Sequence, residues 1–338
     1  MIGMKPAHSL KIVQVIPQGT GAVLVSFGPD SRQARHFAFE PGQYLTLAVR
    51  VNGNEEWRCY SITSESSEGE PISVLVRRVQ SGLVSNWICD HAHSGDYMRV
   101  LPPAGRFTLA RWDHAVLLFA GGSGIAPIFA LARHALAQGA PRVSLFYANR
   151  DRASAMLMAE LDGLQQQAGA RLDVHFWYDA EQGLPSPDEL QRHVTDPRGC
   201  DVYLCGPEPF MRTAAASMAR AGCDPACMHR EIFSPGEDAC GGNDGSGVEA
   251  LLTVKMKGKS HAVAVKGYES LLSAMLNAGL SAPHACKVGE CASCVCHLEA
   301  GEVERLDNSV LDEDDVASGL LLACRTRARH GRICVRFD

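Results

Sequence analysis

Four cysteines constrain this chain more than anything else in it. Cys286, Cys291 and Cys294 stand at C-x4-C-x2-C spacing, and Cys324 follows after 29 intervening residues. Spacing this short puts three thiolates on one irregular loop, and a distant fourth closes a set around two irons, as in a plant-type [2Fe–2S] centre. Gly289 inside the loop lets backbone pass close to the sulfurs. A zinc ribbon needs a second C-x2-C, and around Cys324 there is none. A Rieske centre needs two histidines among its ligands, a pattern C-V-C-H does not offer. Cys296 and Cys334 are the rivals for the fourth position. Cys296 lies on a stretch that leads away from the loop, and Cys334 sits in ICVRF, whose apolar face is expected to take it into the core. Both are read as core thiols.

Seven further cysteines of the thirteen are scattered over the rest of the chain. The N-terminus, MIGMKPAHSLKIV, lacks the apolar core of a secretory signal. Free thiols in a reducing compartment, and a cytoplasmic location, are the expectation. A net charge of −6 gives no basic face for nucleic acid. No run of apolar residues approaches a membrane span, so no membrane partner is expected.

At 338 residues the chain predicts two or three domains. The stretch SPGEDACGGNDGSGV, residues 234–248, is rich in Gly, Ser and Asp without periodicity and reads as a flexible linker. Residues 7–110 read as a small antiparallel β-barrel, with strands at Leu10–Ile16, Ala22–Phe27, Gln43–Val51 and Ile72–Val79 and one helix over Leu83–His91. The turns are PQGTG, GPD, EPGQ, NGN and SSEGEP, with Asn52-Gly53 a hairpin signal. Residues 111–233 alternate strands with helices, which means a parallel sheet with crossover helices. Residues 249–338 open on a hairpin, LLTVKMKGKSHAVAV, then a helix over Leu271–Ala278 before the cysteine loop, an α+β arrangement. The acidic run Asp312 to Asp315 reads as a helix start with carboxylates at the positive end.

Three shorter motifs carry chemistry. Arg58-Cys59-Tyr60-Ser61, at the end of a barrel strand, offers a cation for a phosphate, a flat ring to pack on a flavin and a hydroxyl for its reactive nitrogen. Strand alternation sends Arg58 and Tyr60 to one face and Ser61 to the other. Gly121-Gly122-Ser123-Gly124, followed by Ile125-Ala126-Pro127, lies between a buried strand and a helix, where amide groups and the helix dipole favour a pyrophosphate. It is not the G-x-G-x-x-G of a Rossmann turn. Cys205-Gly206-Pro207 ends another strand of the same sheet and so lies at the same carboxyl edge.

The order of these pieces resembles the ferredoxin–NADP reductase superfamily with a fused C-terminal plant-type ferredoxin of β-grasp fold. The texture of RCYSI, LVSNWICDH, VLPPAGRF, FYANRD, PHACKVGECASCVC and LLACRTRA is similar to reductase components of bacterial oxygenases, of the 3-ketosteroid 9α-hydroxylase and phenylacetyl-CoA epoxygenase type. The resemblance implies FAD, NAD(P)H and a [2Fe–2S] cluster as cofactors. It implies that Arg58 holds flavin phosphate, Tyr60 packs on the ring, and Ser61 sits by N5, with Cys59 between them in the motif. Gly82, Leu83, Val84 and Ser85 would cover the FAD pyrophosphate. Gly121, Gly122, Ser123 and Gly124 would hold the dinucleotide, Cys205, Gly206 and Pro207 would flank the nicotinamide, and Phe233 would lie near the flavin. Ser61 and Cys205 are thus the catalytic candidates. Ala292 departs from the family, which often has Gly after the second cluster cysteine.

Nicotinamide delivers two electrons as a hydride, an iron–sulfur cluster accepts one at a time, and flavin mediates between them. The expected acceptor is a terminal oxygenase, Rieske or di-iron; another metalloprotein, such as a hybrid-cluster protein, is the alternative. Asn149-Arg150-Asp151-Arg152-Ala153-Ser154 offers both an acid for a ribose 2′-hydroxyl and arginines for a 2′-phosphate, so NADH and NADPH both stay open.

Overall fold

Alternating apolar residues build the first sheet of the computed structural model, which describes residues 6–337 apart from 52, 68–69, 193–196, 234–247, 267–268, 290 and 307–309. Asn52 of the NGN turn, 68–69 of SSEGEP and nearly all of the 234–248 stretch therefore lie outside the described residues. The strands are β1 (His8–Gln18), β2 (Ala22–Gly28), β3 (Tyr44–Val51), β4 (Asn54–Ser61), β5 (Ile72–Arg77) and β6 (Tyr97–Ala104), with helix α1 (Leu83–His91) between the last two. They form one antiparallel sheet in the order β4-β3-β6-β1-β2-β5. Its two edge strands meet at an antiparallel bridge between Ile62 and Val74, which closes the sheet on itself. Leu10, Phe27, Leu45, Leu47, Val74 and Ile88 fill the interior.

The next segment alternates strand and helix: β7 (Val116–Gly121), α2 (Ile125–Ala137), β8 (Val143–Asn149), α3 (Met158–Ala168), β9 (Leu172–Tyr178), α4 (Asp179–Gln182), α5 (Pro187–Arg192), β10 (Asp201–Cys205), α6 (Glu208–Arg220) and β11 (Met228–Glu231). The sheet is parallel, ordered β11-β10-β7-β8-β9. One apolar cluster carries α2 and α3 against one face, and a second packs α5 and α6 against the other. Ala22, Leu24 and Leu75 of the barrel belong to the first cluster, so barrel and parallel sheet share a core. The first barrel hairpin is also tied to the turn after β8: Thr20 N donates to Ala153 O at 2.7 Å, and Leu157 N donates to Gln18 Oε1 at 2.9 Å.

The described residues from Val248 onward belong to a second compact unit. Its described elements are β12 (Val248–Met256), β13 (Lys259–Lys266), α7 (Leu271–Asn277), β14 (Val295–Arg305), α8 (Glu313–Ala317), β15 (Leu320–Leu322) and β16 (Thr326–Arg336). The order β13-β12-β16-β14-β15 has β12 and β16 parallel and its other pairs antiparallel. Asp312 caps α8 in a reciprocal box with Asp315, so the acidic run is a helix start. One expectation fails. Cys334 is not in the core: Ile333, Val335 and Phe337 take the buried face of β16, and alternation leaves Cys334 beside Arg336, its Sγ 3.4 Å from Glu299 Oε2. Cys296 does lie in the core, paired with Leu321.

Candidate functional site

Two of the motifs converge because their strands are neighbours in a parallel sheet. In the β7–β10 register Ala120 faces Cys205, so Gly121 and Gly206 leave the sheet side by side at its carboxyl edge. The approach is too close for side chains. A Cβ at Gly124 would stand 2.1 Å from Cys205 O, and one at Gly206, at φ +156°, would stand 2.8 Å from Gly121 Cα. A Cβ on Gly121 would meet the Pro207 ring at 2.7 Å. Gly122 to Gly124 form a single 3-10 turn running into α2, and no side chain caps either start. Ile125 N already donates to Gly122 O and Pro127 carries no N–H, so the amides left for an anion are those of the turn itself, and the start of α1 after Gly82 likewise lacks a side-chain cap. Backbone left without side-chain caps in this way can take a pyrophosphate.

Around Gly82 the side chains divide. Val84 and Ser85 are buried, Leu83 is exposed, and Ser85 Oγ accepts from Val79 N at 3.3 Å. Any hold on a phosphate here comes from backbone amides. On β4, Ser61 is buried and pairs with Tyr44 in the register, while Arg58 is partly exposed and donates to the Trp57 carbonyl at 2.7 Å. Tyr60 packs against the barrel core, and burial pushes its hydroxyl above the ordinary range. Cys59 Sγ lies 3.5 Å from Thr46 Oγ1.

Cys205 is fully buried. Burial, and then the carboxylate of Glu231 on the neighbouring strand, push its thiol well above the usual range, with Sγ 4.0 Å from Glu231 Oε2. It is a neutral thiol, not a nucleophile. Phe233, just beyond β11, is exposed together with Ile232. Arg77 was not singled out by its sequence. It ends β5 in the barrel, yet a Cβ at Gly122 would stand 2.7 Å from its Nη1, so a barrel cation reaches the glycine turn. No local signal could have found it, since 44 residues separate the two positions.

In the C-terminal unit the four ligand candidates are gathered by one loop and one 3-10 turn, and Cys286, Cys291, Cys294 and Cys324 are all buried. Amides point at their sulfurs: Cys286 N to Cys291 Sγ at 3.3 Å, Val288 N to Cys286 Sγ at 3.4 Å, and Cys324 N to Cys294 Sγ at 3.5 Å. Such donors stabilise thiolate charge on cluster ligands. The hydrogen bond from Cys286 holds the Cys291 thiol down at about 5. Cys324 is pushed well above the ordinary range by its bond with Cys294, by burial, and by charge on the other three sulfurs. Four buried thiols gathered in this way, with amides aimed at their sulfurs, suit a cationic cluster as their common partner. Among the described residues no three His, Cys, Asp or Glu side chains are arranged to hold a single ion. Gly289, at φ +88°, packs where a Cβ would stand 2.5 Å from Arg325 Cγ.

Comparison with known proteins defines the class first. Residues 24–109 match the oxidoreductase FAD-binding domain family, 118–216 the oxidoreductase NAD-binding domain family, and 254–329 the 2Fe-2S iron-sulfur cluster binding domain family. The protein is a flavin- and iron–sulfur-containing oxidoreductase that uses FAD, NAD(P)H and a [2Fe–2S] cluster. The ferredoxin reductase component of 3-ketosteroid-9-alpha-monooxygenase from Mycobacterium tuberculosis is 37% identical over 97% of this chain and 95% of its own length. One component of the Escherichia coli 1,2-phenylacetyl-CoA epoxidase is 29% identical over 99% of each chain. The chain belongs to this family of three-domain reductase components. Phthalate dioxygenase reductase shares the fold, with a TM-score of 0.64 at 24% identity over 98% of both chains. No helix among the described residues is long and apolar enough to cross a membrane.

Proposed function

We propose that this chain is the reductase component of a multicomponent oxygenase, and that its terminal oxygenase partner draws electrons from the C-terminal cluster. The observation that carries the reading is the full-length likeness to oxygenase reductase components together with four buried cysteines at plant-type spacing. Bound together, the cofactors supply hydride acceptance from NAD(P)H at the flavin and one-electron delivery at the cluster. The chain's residues supply position. Arg58 and the stretch Gly82 to Ser85, through the uncapped start of α1, take the flavin phosphates. Tyr60 packs on the ring, and Ser61 offers its hydroxyl at the N5 edge. Gly121 to Gly124 and the Arg77 guanidinium take the nicotinamide pyrophosphate. Cys205, Gly206 and Pro207 wall the nicotinamide, with the Cys205 thiol kept protonated by burial and Glu231. Phe233 covers the flavin. Cys286, Cys291, Cys294 and Cys324 ligate the cluster. The domains follow as a barrel at 7–110, a nucleotide domain at 111–233, a linker at 234–248 and a ferredoxin domain at 249–338.

The test is a chain ended at Phe233, where the first compact unit closes. It should keep FAD and NAD(P)H-dependent reduction of ferricyanide, a small acceptor, and lose iron, reduction of cytochrome c and support of the oxygenase. Unchanged cytochrome c reduction would take the cluster off the electron route.

A further inference from the structure

Strands β8 and β9 are parallel neighbours that end at Asn149 and Tyr178. The turns beyond them are joined by a hydrogen bond from Ala180 N to Arg150 O at 2.9 Å. In an open α/β sheet an acid or an arginine near such strand ends reads the 2′ position of the adenosine ribose. These turns hold two arginines, Arg150 and Arg152, and three carboxylates, Asp151, Asp179 and Glu181.

Neither arginine is free. Arg152 donates from Nε and Nη2 to the two oxygens of Glu181, at 2.7 and 3.0 Å, and its guanidinium lies over the Tyr178 ring at 4.5 Å. Arg150 donates from Nε to Asp151 Oδ2 at 3.0 Å, while Asp151 Oδ1 accepts from Ser154 N at 2.8 Å. Asp179 has a buried Oδ1 with no hydrogen-bond partner among the described residues, and burial pushes its carboxyl above the usual range. Exposed ion pairs usually hold weakly, but a bidentate fork resting on an aromatic ring is pre-organised and gives up its geometry less readily. A 2′-phosphate would have to draw Arg152 away from Glu181 and sit beside the carboxylates left behind. A 2′-hydroxyl needs only an acceptor, and this edge is rich in them.

We propose that the chain selects NADH over NADPH, and that Glu181 sets the selection by holding Arg152 away from the 2′-phosphate position. The inference rests on the NAD(P)H-oxidising reading above. Glu181 acts through Arg152 and is a positioning residue.

The full-length, FAD- and cluster-loaded protein is assayed for kcat/KM with each nucleotide, using ferricyanide as acceptor. Calorimetry with ADP-ribose and 2′-phospho-ADP-ribose measures binding apart from turnover. Wild type should favour NADH, and ADP-ribose, by about tenfold or more, the size expected when a pocket rejects a mismatched polar group. Glu181→Gln should raise kcat/KM for NADPH about tenfold, through KM, and change NADH less than about threefold. Adding Arg152→Ala to Glu181→Gln should cancel that gain. Wild type that uses NADPH as well as NADH overturns the proposal, whatever the variants do. So does an unchanged ratio in Glu181→Gln, or a gain that survives Arg152→Ala. Failure to oxidise either nucleotide brings down the functional reading and this inference with it.

Discussion

In the parallel-sheet half of the first unit the site lies where regular elements stop. In the second unit three of the four cysteines lie on a loop between α7 and β14, and the fourth on a 3-10 turn after β15. The glycine turn is shaped by what it packs against: Gly124 abuts the Cys205 carbonyl and Gly206 abuts Gly121. Helices α1 and α2 start without a side-chain cap there, whereas α7 and α8 in the second unit are capped by Ser270 and Asp312. The cysteine loop works otherwise. Lys287 and Ala292 hold left-handed backbone, at φ +59° each, a conformation unfavourable for a residue with a Cβ. Packing shapes the first site; the gathering of four buried thiols, the cluster ligands proposed above, shapes the second. Substitutions should therefore spread their effects through the first unit and stay confined to the cluster in the second.

The sharpest separation comes from Cys324→Ser. Cytochrome c reduction should fall by about a hundredfold or more with loss of the reduced-cluster paramagnetic signal, while FAD content and ferricyanide reduction hold. Cys296→Ser and Cys334→Ser should keep the signal, and its loss in either one with retention in Cys324→Ser would reassign the fourth ligand.

Next in size, Gly124→Ala should destabilise the first unit by about 3 kcal/mol, because a methyl 2.1 Å from the Cys205 carbonyl forces strand and helix apart. Denaturant melts followed by flavin fluorescence would show it, and an unchanged midpoint would contradict the packing account of the glycine turn. Iron content should not change.

Ser61→Ala removes a buried hydroxyl without touching packing at the glycine turn. It should slow flavin reduction by NADH about tenfold, roughly 1.4 kcal/mol of barrier, in anaerobic stopped flow with FAD still bound. A wild-type rate would mean the hydroxyl has no part at the flavin.

The smallest effect has the opposite sign. Ala292→Gly should stabilise the second unit by about 1 kcal/mol in the cluster-free form, since glycine adopts the observed left-handed φ without strain. A melt of the apo-protein that shows no gain would mean the loop relaxes when the cluster is absent.

Much of this architecture is legible in the chain itself. The C-x4-C-x2-C spacing, the strand–glycine–helix order at Gly121 to Gly124 and the capping run at Asp312 are local patterns, and all three stand in the structure as read. Helix α1 also matches its expected span from Leu83 to His91. The pattern of α3 points to a start near Met156; the helix starts at Met158, because Leu157 is held in a left-handed turn with its amide bonded to Gln18 of the barrel. Cys334 falls on the other face from the one expected because alternation groups Ile333, Val335 and Phe337 on the apolar face and Cys334 with Arg336 on the opposite one, a pattern already present in ICVRF.

By itself, then, the sequence determined the C-x4-C-x2-C spacing, the order of the cofactor-binding modules and the turns within them, since each is set by residues a few positions apart. Tertiary structure alone decided that Arg77 reaches Gly122, that Glu231 faces Cys205 and that Glu181 holds Arg152. Those contacts join residues 26 to 45 positions apart, and strand order, register and crossover fix them. No local spacing encodes these features, because they are settled only when the sheets close.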